Sequence, residues 1–309
     1  MKHKSTKKKY KQKRRKTKIK RLKKKHIGGY KHYGMDNILF RYSGLDSNNI
    51  ESIDMPHGIP DYNFYKKTNY LKKSDVCPQF IMNQEGNDFC LELDKSYSSN
   101  NIIGHPIIYM DFKLEKEIYP NGLLVFYNHS HEYGNNGYEK NEFQIHEEYI
   151  KQIMALNEQF SPIHICLYWK ELENSILLGL LEKYNLKYIT NGHRDNNNDF
   201  IINLINNIQK YKYITSSLIG SHTWISLYLD RYFFIYGNGD PCQTDKQLYM
   251  SCSDTSKFYK NTYPMLTYEN FNQNKDKTEY KKLLKELGNI KLGLDFKKNQ
   301  EELKTILSQ

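Results

Sequence analysis

Residues 213–228 read YITSSLIGSHTWISLY. The segment begins with an aromatic and β-branched run that is typical of a buried strand, and Ser216, Ser217 and Gly220 then interrupt it. Apolar residues recur afterwards at helical spacing, which predicts a helix over 223–229. Because a helix N-terminus presents backbone N–H groups and a positive dipole end, the whole segment predicts an anion site.

Three hydroxyls and one imidazole accompany the predicted start of this helix. The segment lacks both the lysine of a GxxxxGK[ST] P-loop and the GxGxxG of a dinucleotide fold, so an N-capped helix without a ligand is the alternative interpretation. We predict a phosphate site in which the side chains supply donors beside the helix amides. Its members are Ser216, Ser217, Gly220, Ser221 and His222.

Strands and helices alternate along residues 122–236. The pattern predicts strands at 123–127, 163–168, 187–190, 213–215 and 232–236, with helices at 142–157, 172–184, 200–209 and 223–229. Such alternation predicts an α/β fold with a parallel sheet that has helices on both faces. Ligands of these sheets lie at the carboxyl ends of the strands, so the loops after the strands are candidate walls of a site.

These loops are polar. His129, Ser130 and His131 follow the first strand, and Arg194 follows the third. We add Ser130 and Arg194 to the predicted phosphate-binding residues, with a solvated surface arginine as the alternative for Arg194. Two imidazoles one residue apart can chelate a metal, but no further ligands follow at a convincing spacing, so we predict no metal.

Residues 2–25 hold 16 lysines or arginines and no acidic residue. Of the 46 basic residues in the chain, 30 therefore remain elsewhere, against 35 acidic ones, so the net charge of +11 belongs to the tail. A block of like charge this dense predicts disorder over 1–34. Its expected partner is nucleic acid or an acidic surface, which allows a nuclear or nucleolar location, and a solubilising arm is the alternative.

The rest of the chain is long enough for a sizeable core. No apolar h-region follows the basic run, and no window reaches the length of a membrane span, which predicts a soluble body without a span. Five cysteines, none in a CxxC pair, indicate reduced thiols in a cytoplasmic compartment. Two histidine motifs precede the sheet. MPHGIP around His57 predicts a general base on a tight turn, with a turn histidine that makes one backbone hydrogen bond as the alternative, and IIGHPIIYM around His105 favours a structural histidine.

Four segments carry a resemblance to a known family: LLVFYNHSH (123–131), HICLYWKEL (164–172), NGHRDNNNDFI (191–201) and TSSLIGSHTWISLYLDRYFFIYG (215–237). In this order, and with the two histidine motifs before them, they resemble an uncharacterised family of bacterial surface and capsular polysaccharide biosynthesis proteins. The closing lysine- and leucine-rich segment is similar to the tail of that family. This chain departs from the pattern in having Ser221 where threonine is usual and Asp230-Arg231 in place of Gly-Lys.

The resemblance implies a GT-B-like fold, in which two Rossmann-type lobes face each other across a cleft. We divide the chain accordingly into the basic tail 1–34, an N-terminal lobe 35–118, a nucleotide-binding lobe 119–245 and a C-terminal segment 246–309 with helices at 277–287 and 299–307. Gly288 is the predicted stop of the first of these helices.

The implied activity is that of a glycosyltransferase, which transfers a sugar from a nucleotide donor to a glycan or another hydroxyl acceptor. No cofactor is expected beside the nucleotide sugar, which is the donor substrate. His57 is the predicted base, with His129 and His131 as rivals. The alternative is an inactive GT-B-like binding or virion-associated protein, in a host cytoplasm or a virion, that its basic tail tethers to nucleic acid or an acidic surface. A lysine-rich arm before an Asn- and Tyr-rich body is typical of large DNA viruses.

Overall fold

The computed structural model describes residues 33–46, 55–56, 58–68, 80–93, 95, 102–128, 142–194, 199–237 and 252–308. The strands are β1 Tyr119–Phe126, β2 Ile163–Leu167, β3 Lys187–Thr190, β4 Tyr211–Ser216 and β5 Tyr232–Ile235. The α-helices are α1 Met35–Ser43, α2 Tyr62–Thr68, α3 Gln84–Leu93, α4 Glu142–Met154, α5 Ser175–Lys183, α6 Phe200–Gln209, α7 Ser221–Tyr228, α8 Cys252–Thr262, α9 Tyr268–Asn274, α10 Thr278–Leu292 and α11 Gln300–Leu307. Turns of 3-10 helix lie at Pro106–Tyr109, Trp169–Glu173, Pro264–Leu266 and Leu294–Phe296.

The strands form one sheet in the order β3-β2-β1-β4-β5, and each strand pairs with its neighbours in parallel. Strand β1 lies at the centre, where Leu123, Leu124 and Val125 are fully buried. Parallel sheets are covered on both faces, and their strands therefore read as apolar runs without alternation. The predicted α/β class is confirmed.

Local sequence signals place most of these elements correctly. Strand β3 and helix α6 have the predicted bounds, and the other elements of the sheet region differ from prediction by up to four residues at an end. The prediction that Gly288 ends a helix is wrong. Helix α10 continues through Gly288 to Leu292, and Gly293 caps it in the left-handed conformation, with φ of 67°.

The N-terminal region consists of α1, α2, α3 and the 3-10 turn at Pro106–Tyr109. Its β-structure, in the part of the chain that the structure describes, is an isolated parallel bridge between Ile81 and Ile102. The described residues thus show one Rossmann-type sheet, where the resemblance implies two such lobes.

The C-terminal helices join the N-terminal region to the sheet. Helix α10 packs on α7, and α11 packs on α1. Gly288 makes the first contact close, because a Cβ there would lie 2.6 Å from the backbone nitrogen of Tyr228. The backbone N–H of His105 donates to the carbonyl of Leu292 at the end of α10, at 2.8 Å.

Several predictions fall outside the described residues. These are the calls on the basic tail up to residue 32 and on His57, His129, Ser130 and His131. None of the helices that the structure describes combines the length and the apolar character that a membrane-spanning helix needs.

Candidate functional site

A cavity of about 390 Å³ opens at the carboxyl edge of the sheet. Strand order reverses there, between β1 and β4, which is the position where open parallel sheets bind ligands. Its described wall consists of Tyr33, Met35, His105, Phe126, Tyr127, Asn128, Cys166, Leu167, Tyr168, Asn191, Gly192, Phe200, Ile201, Leu204, Leu218, Ile219, Gly220, Ser221, His222 and Ile225. This set contains no Asp, Glu, Lys or Arg, so the described wall is uncharged apart from its histidines.

The N-terminus of α7 lies on the cavity wall. Glycine is the N-cap, and a glycine has no side chain that could occupy the first amides of the helix. The hydroxyl of Thr223 accepts a hydrogen bond from the Gly220 N–H at 3.3 Å, and the Thr223 N–H donates to the Gly220 carbonyl at 2.9 Å. The positive end of the helix dipole therefore points at the cavity, where it stabilises an anion by up to about 2 kcal/mol in a partly buried setting.

Ser221 connects this helix to the segment that carries His57. Its Oγ accepts a hydrogen bond from the backbone N–H of Ile59 at 3.0 Å. A Cβ on Gly58 would lie 3.1 Å from the same oxygen, so the glycine of MPHGIP allows the close approach. The residues that follow His57 in the chain thus reach the cavity wall, whereas the side chain of His57 lies outside the described residues.

The imidazole of His222 stacks on the ring of Phe126 at the end of β1. The ring centroids are 4.5 Å apart and the planes differ by 14°. A Cβ on Gly220 would lie 3.0 Å from Cε1 and Nδ1 of this imidazole, which makes the glycine part of the seat for the ring. Gly220, Ser221 and His222, three of the predicted phosphate-binding residues, therefore meet on one side of the cavity.

Ser216 and Ser217 lie behind the wall and not on it. Both are fully buried. The Ser216 Oγ accepts from the Leu218 N–H at 3.4 Å, and the Ser217 Oγ accepts from the Asn128 amide at 3.2 Å. Their hydroxyls hold the turn between β4 and α7 and the end of β1 together, and direct contact between them and phosphate stays a prediction.

Arg194 follows β3 but is not among the wall residues. Its carbonyl accepts a hydrogen bond from the Tyr33 N–H at 2.9 Å, which ties the start of the N-terminal region to the loop after β3. Its neighbour His193 lies against Trp169, with ring centroids 4.2 Å apart. A role for the Arg194 guanidinium in phosphate binding stays a prediction, as do roles for Ser130, His129 and His131, although Asn128, next to His129, lines the cavity.

The structure adds His105 to the candidate site, a residue for which the sequence favoured a structural role. Its side chain is fully buried at the cavity wall, and its Nδ1 accepts a hydrogen bond from the Ile107 N–H at 3.2 Å. Burial lowers the pKa of His105 to about 3, so the imidazole is neutral and carries its hydrogen on Nε2. No hydrogen-bond partner for Nε2 lies among the described residues. Leaving a buried donor unmet costs about 1–3 kcal/mol.

Tyr127, another wall residue that the sequence did not single out, begins a chain of polar contacts. Its hydroxyl lies 2.5 Å from Nδ1 of His146 on α4, and Nε2 of His146 lies 3.5 Å from a Glu142 oxygen. Burial lowers the pKa of His146, and the Glu142 carboxylate opposes that shift. Asn174 donates to the same carboxylate at 2.9 Å. This chain fixes the Tyr127 ring at the wall.

Two further observations concern ligands of other kinds. In the described parts of the chain, no three His, Cys, Asp or Glu side chains form a group that could hold a metal ion. The absence of a metal from the complete site stays a prediction, because His57, His129 and His131 lie outside the described residues. The thiol of Cys166 lines the cavity, but burial raises its pKa to about 12, which makes it a poor nucleophile.

The fold and the cavity together define a Rossmann-type α/β protein with a ligand-sized site at the topological switch point. No family model matches the sequence, and no curated protein does. Among solved structures, the chain is similar to MnaA of S. aureus in its UDP complex, at 11% identity and a TM-score of 0.38, over 74% of this chain and 57% of that one. It is also similar to UDP-GlcNAc 2-epimerase from Neisseria meningitidis bound to UDP-GlcNAc, at 12% identity and a TM-score of 0.34, over 74% and 60%.

The chain thus spans less than two thirds of the length of either structure. Similarity at this level concerns the fold alone.

Proposed function

We propose that this protein binds a nucleotide sugar at the carboxyl edge of its sheet and transfers the sugar to a hydroxyl acceptor. The observation that carries the proposal is the N-terminus of α7, which faces a cavity of about 390 Å³ at the switch point between β1 and β4. Helix N-termini at this position are suited to diphosphates, and the apolar remainder of the wall is suited to the neutral parts of a nucleotide sugar.

The phosphate end of the ligand is assigned to α7. Its first amides, the Ser221 hydroxyl and the His222 ring provide hydrogen bonds and the positive end of a dipole. In the transfer step, an acceptor oxygen forms a bond to the anomeric carbon, and the bond from that carbon to the diphosphate breaks with its electron pair going to the phosphate. Donors fixed at α7 before the reaction stabilise the charge that develops on this leaving group.

The acceptor proton goes to a general base, for which His57 is the proposed residue. The observation in its favour is that Ile59 and Gly58, which follow it, contact Ser221 at the phosphate end. His129 and His131 are the rival bases, since the preceding Asn128 lines the same cavity. We expect His57→Ala to abolish transfer while leaving nucleotide affinity within about twofold; unchanged transfer would exclude His57 as the base.

The binding site is tested by calorimetric titration of the full-length protein with the 5′-diphosphates of uridine, guanosine, adenosine and cytidine. We expect one of them to bind, and Ser221→Ala to weaken it about tenfold because a hydrogen bond to a charged group contributes about 1.5 kcal/mol or more. Ser175→Ala is the control, since Ser175 is the first residue of α5 as Ser221 is of α7, but it is exposed and is not part of the cavity wall. The proposal would be contradicted if both variants lost the same affinity, or if the parent protein and the variants bound none of the four diphosphates.

A second candidate function has one observation in its favour. The described wall contains no carboxylate that could act as a base and no lysine or arginine that could neutralise a diphosphate. That composition also fits a protein that binds its ligand without turnover, with residues 2–25 as a tether to nucleic acid or another acidic surface. Nucleotide-sugar binding without transfer to any of a panel of glycan acceptors would favour this candidate.

A further inference from the structure

The buried imidazole of His105 offers one donor that the described protein does not use. Its Nδ1 is occupied by the Ile107 N–H, at 3.2 Å, and the donor at Nε2 has no partner among the described residues. His105 is the N-cap of the 3-10 turn at Pro106–Tyr109, and its backbone N–H donates to the carbonyl of Leu292 at 2.8 Å. These contacts hold the residue in place. The residue also belongs to the cavity wall.

The wall around His105 is aromatic and aliphatic. The 3-10 turn after His105 packs on α1, whose first residue, Met35, also lines the cavity. Tyr33, just before α1, contacts the ring of Phe200, with centroids 4.7 Å apart. An uncharged donor on an apolar wall matches a neutral acceptor better than a phosphate, since the described wall has no Lys or Arg and the first turn of the neighbouring α1 carries the acidic Asp36.

The charged end of a ligand is assigned to the N-terminus of α7, with Ser221 and His222, on the wall of the same cavity. This helix has a glycine N-cap and no acidic residue in its first turn, whereas the first turn of α1, which also begins at the wall after a glycine N-cap, carries Asp36. A ligand with an anionic end and a flat neutral end would therefore bind in one orientation. Nucleobases fit the neutral end, because they are planar and carry carbonyl oxygens or ring nitrogens as acceptors.

We infer that His105 is a base-recognition residue, whose Nε2–H donates to a carbonyl oxygen or ring nitrogen of the nucleobase in this cavity. The inference rests on the proposed nucleotide site and deepens it. His105 is a binding residue here and not a base, since its one lone pair is held by the Ile107 N–H. Selectivity among nucleobases follows from the position of the acceptor that meets this donor.

The test compares His105→Asn with the parent protein at full length. Asparagine keeps an acceptor for the Ile107 N–H, because it is a good N-cap residue, but it is too short to replace Nε2. The probes are the four nucleoside diphosphates and inorganic diphosphate. We expect about tenfold weaker binding of the preferred nucleoside diphosphate, equal to about 1.4 kcal/mol, with binding of inorganic diphosphate unchanged.

A merely structural role predicts a different outcome. It would lower the melting temperature of the ligand-free protein and weaken both kinds of probe together, whereas the proposed role leaves the ligand-free protein as stable as its parent at pH 8. Unchanged affinity for the nucleoside diphosphate overturns the role of His105 but leaves the nucleotide site intact. A parent protein that binds none of the four overturns both.

Should His105→Asn fail to fold, the parent protein itself provides the measurement. With ring-labelled histidine, the buried Nε2–H gives a slowly exchanging imidazole N–H signal in NMR spectra. We expect that signal to shift when the preferred nucleoside diphosphate is added and to stay in place with inorganic diphosphate. A signal that responds equally to both would overturn the inference.

Discussion

The parallel sheet, residues 119–235, and the helices around it, residues 35–109 and 252–308, are held together in different ways. In the sheet, neighbouring strands pair through the backbone, and short apolar runs fill the centre. The surrounding helices share the hydrophobic core of the sheet and are joined in addition by polar contacts between residues about 200 positions apart. The wall with His105 therefore includes long-range polar contacts besides apolar packing.

Lys291 on α10 is at the centre of these contacts. It is 2% exposed, and its ammonium lies 2.6 Å from a Glu85 oxygen and 3.0 Å from the Tyr263 hydroxyl. That hydroxyl donates in turn to Asp61 at 2.8 Å, and the Asn83 amide donates to the carbonyl of Lys291 at 2.7 Å. Burial, with the Asp61 charge, raises the pKa of Tyr263, which keeps its hydroxyl a donor. Two N-terminal segments, 58–68 and 80–93, are thereby attached to the C-terminal helices.

The substitution with the largest expected effect on stability is Gly293→Ala. Gly293 has φ of 67°, and a Cβ there would overlap the carbonyl oxygen of Met82. We expect a loss of about 5 kcal/mol or failure to fold, because backbone must move at a residue that is already in the left-handed region. Chemical denaturation measures the change.

Gly179→Ala is the control for this glycine. Gly179 lies within α5, and a Cβ there would meet nothing within 4 Å. We expect a gain of about 0.5–1 kcal/mol from the better helix propensity of alanine. A Gly293→Ala protein as stable as the parent would show that α10 and the Met82 segment are not docked as described.

The next effect is that of Lys291→Ala, for which we expect a loss of about 3 kcal/mol. Removing one partner of a buried ion pair leaves the other charge without compensation, here partly relieved because Glu85 is 38% exposed. Lys281→Ala on the same helix is the matched control, since its pair with Asp230 at 2.9 Å is exposed. We expect that variant to lose less than about 0.5 kcal/mol, and equal losses would contradict the special position of Lys291.

The smallest effect concerns pH. Because the pKa of His105 is about 3 when folded and about 6.5 when unfolded, only the unfolded chain binds this proton between those values, and stability falls as pH decreases below about 7. The contribution is about 2 kcal/mol between pH 8 and pH 5. His146 acts in the same direction, since its pKa is also lowered.

Urea denaturation at both pH values checks this expectation. His105→Asn should remove about 2 kcal/mol of the difference, because asparagine does not titrate. A variant with the same pH dependence as the parent would show that His105 is accessible to protons in the folded state.

The two regions also differ in how far the sequence predicts them. Apolar runs and breaks predict the bounds of β3 and α6. Gly220, Ser221 and His222 line the cavity, and their predicted role in phosphate binding stays a prediction. The prediction that Gly288 ends a helix is wrong because this glycine lies inside α10, where the absence of a side chain lets α7 approach closely. No local pattern marks such a contact.

His105 was missed for a related reason. Its environment is made by the 3-10 turn, α1 and the end of α10, which are far apart in the chain. A histidine that precedes a proline and an apolar run has the same sequence pattern whether it lies in a hydrophobic core or at a ligand-binding site. The two are distinguished here by an Nε2 at a cavity wall that has no partner among the described residues.

The Ser221 hydroxyl already accepts the N–H of Ile59, a residue 162 positions earlier, and keeps its own hydrogen for a further acceptor. An anion that takes this hydrogen polarises the hydroxyl and strengthens its bond to Ile59. Ligand affinity and the hydrogen bond between Ser221 and Ile59 are then thermodynamically coupled, so each must favour the other by the same factor. The exchange rate of the Ile59 amide hydrogen, which is measured on the protein and not on the ligand, would report whether the site is occupied.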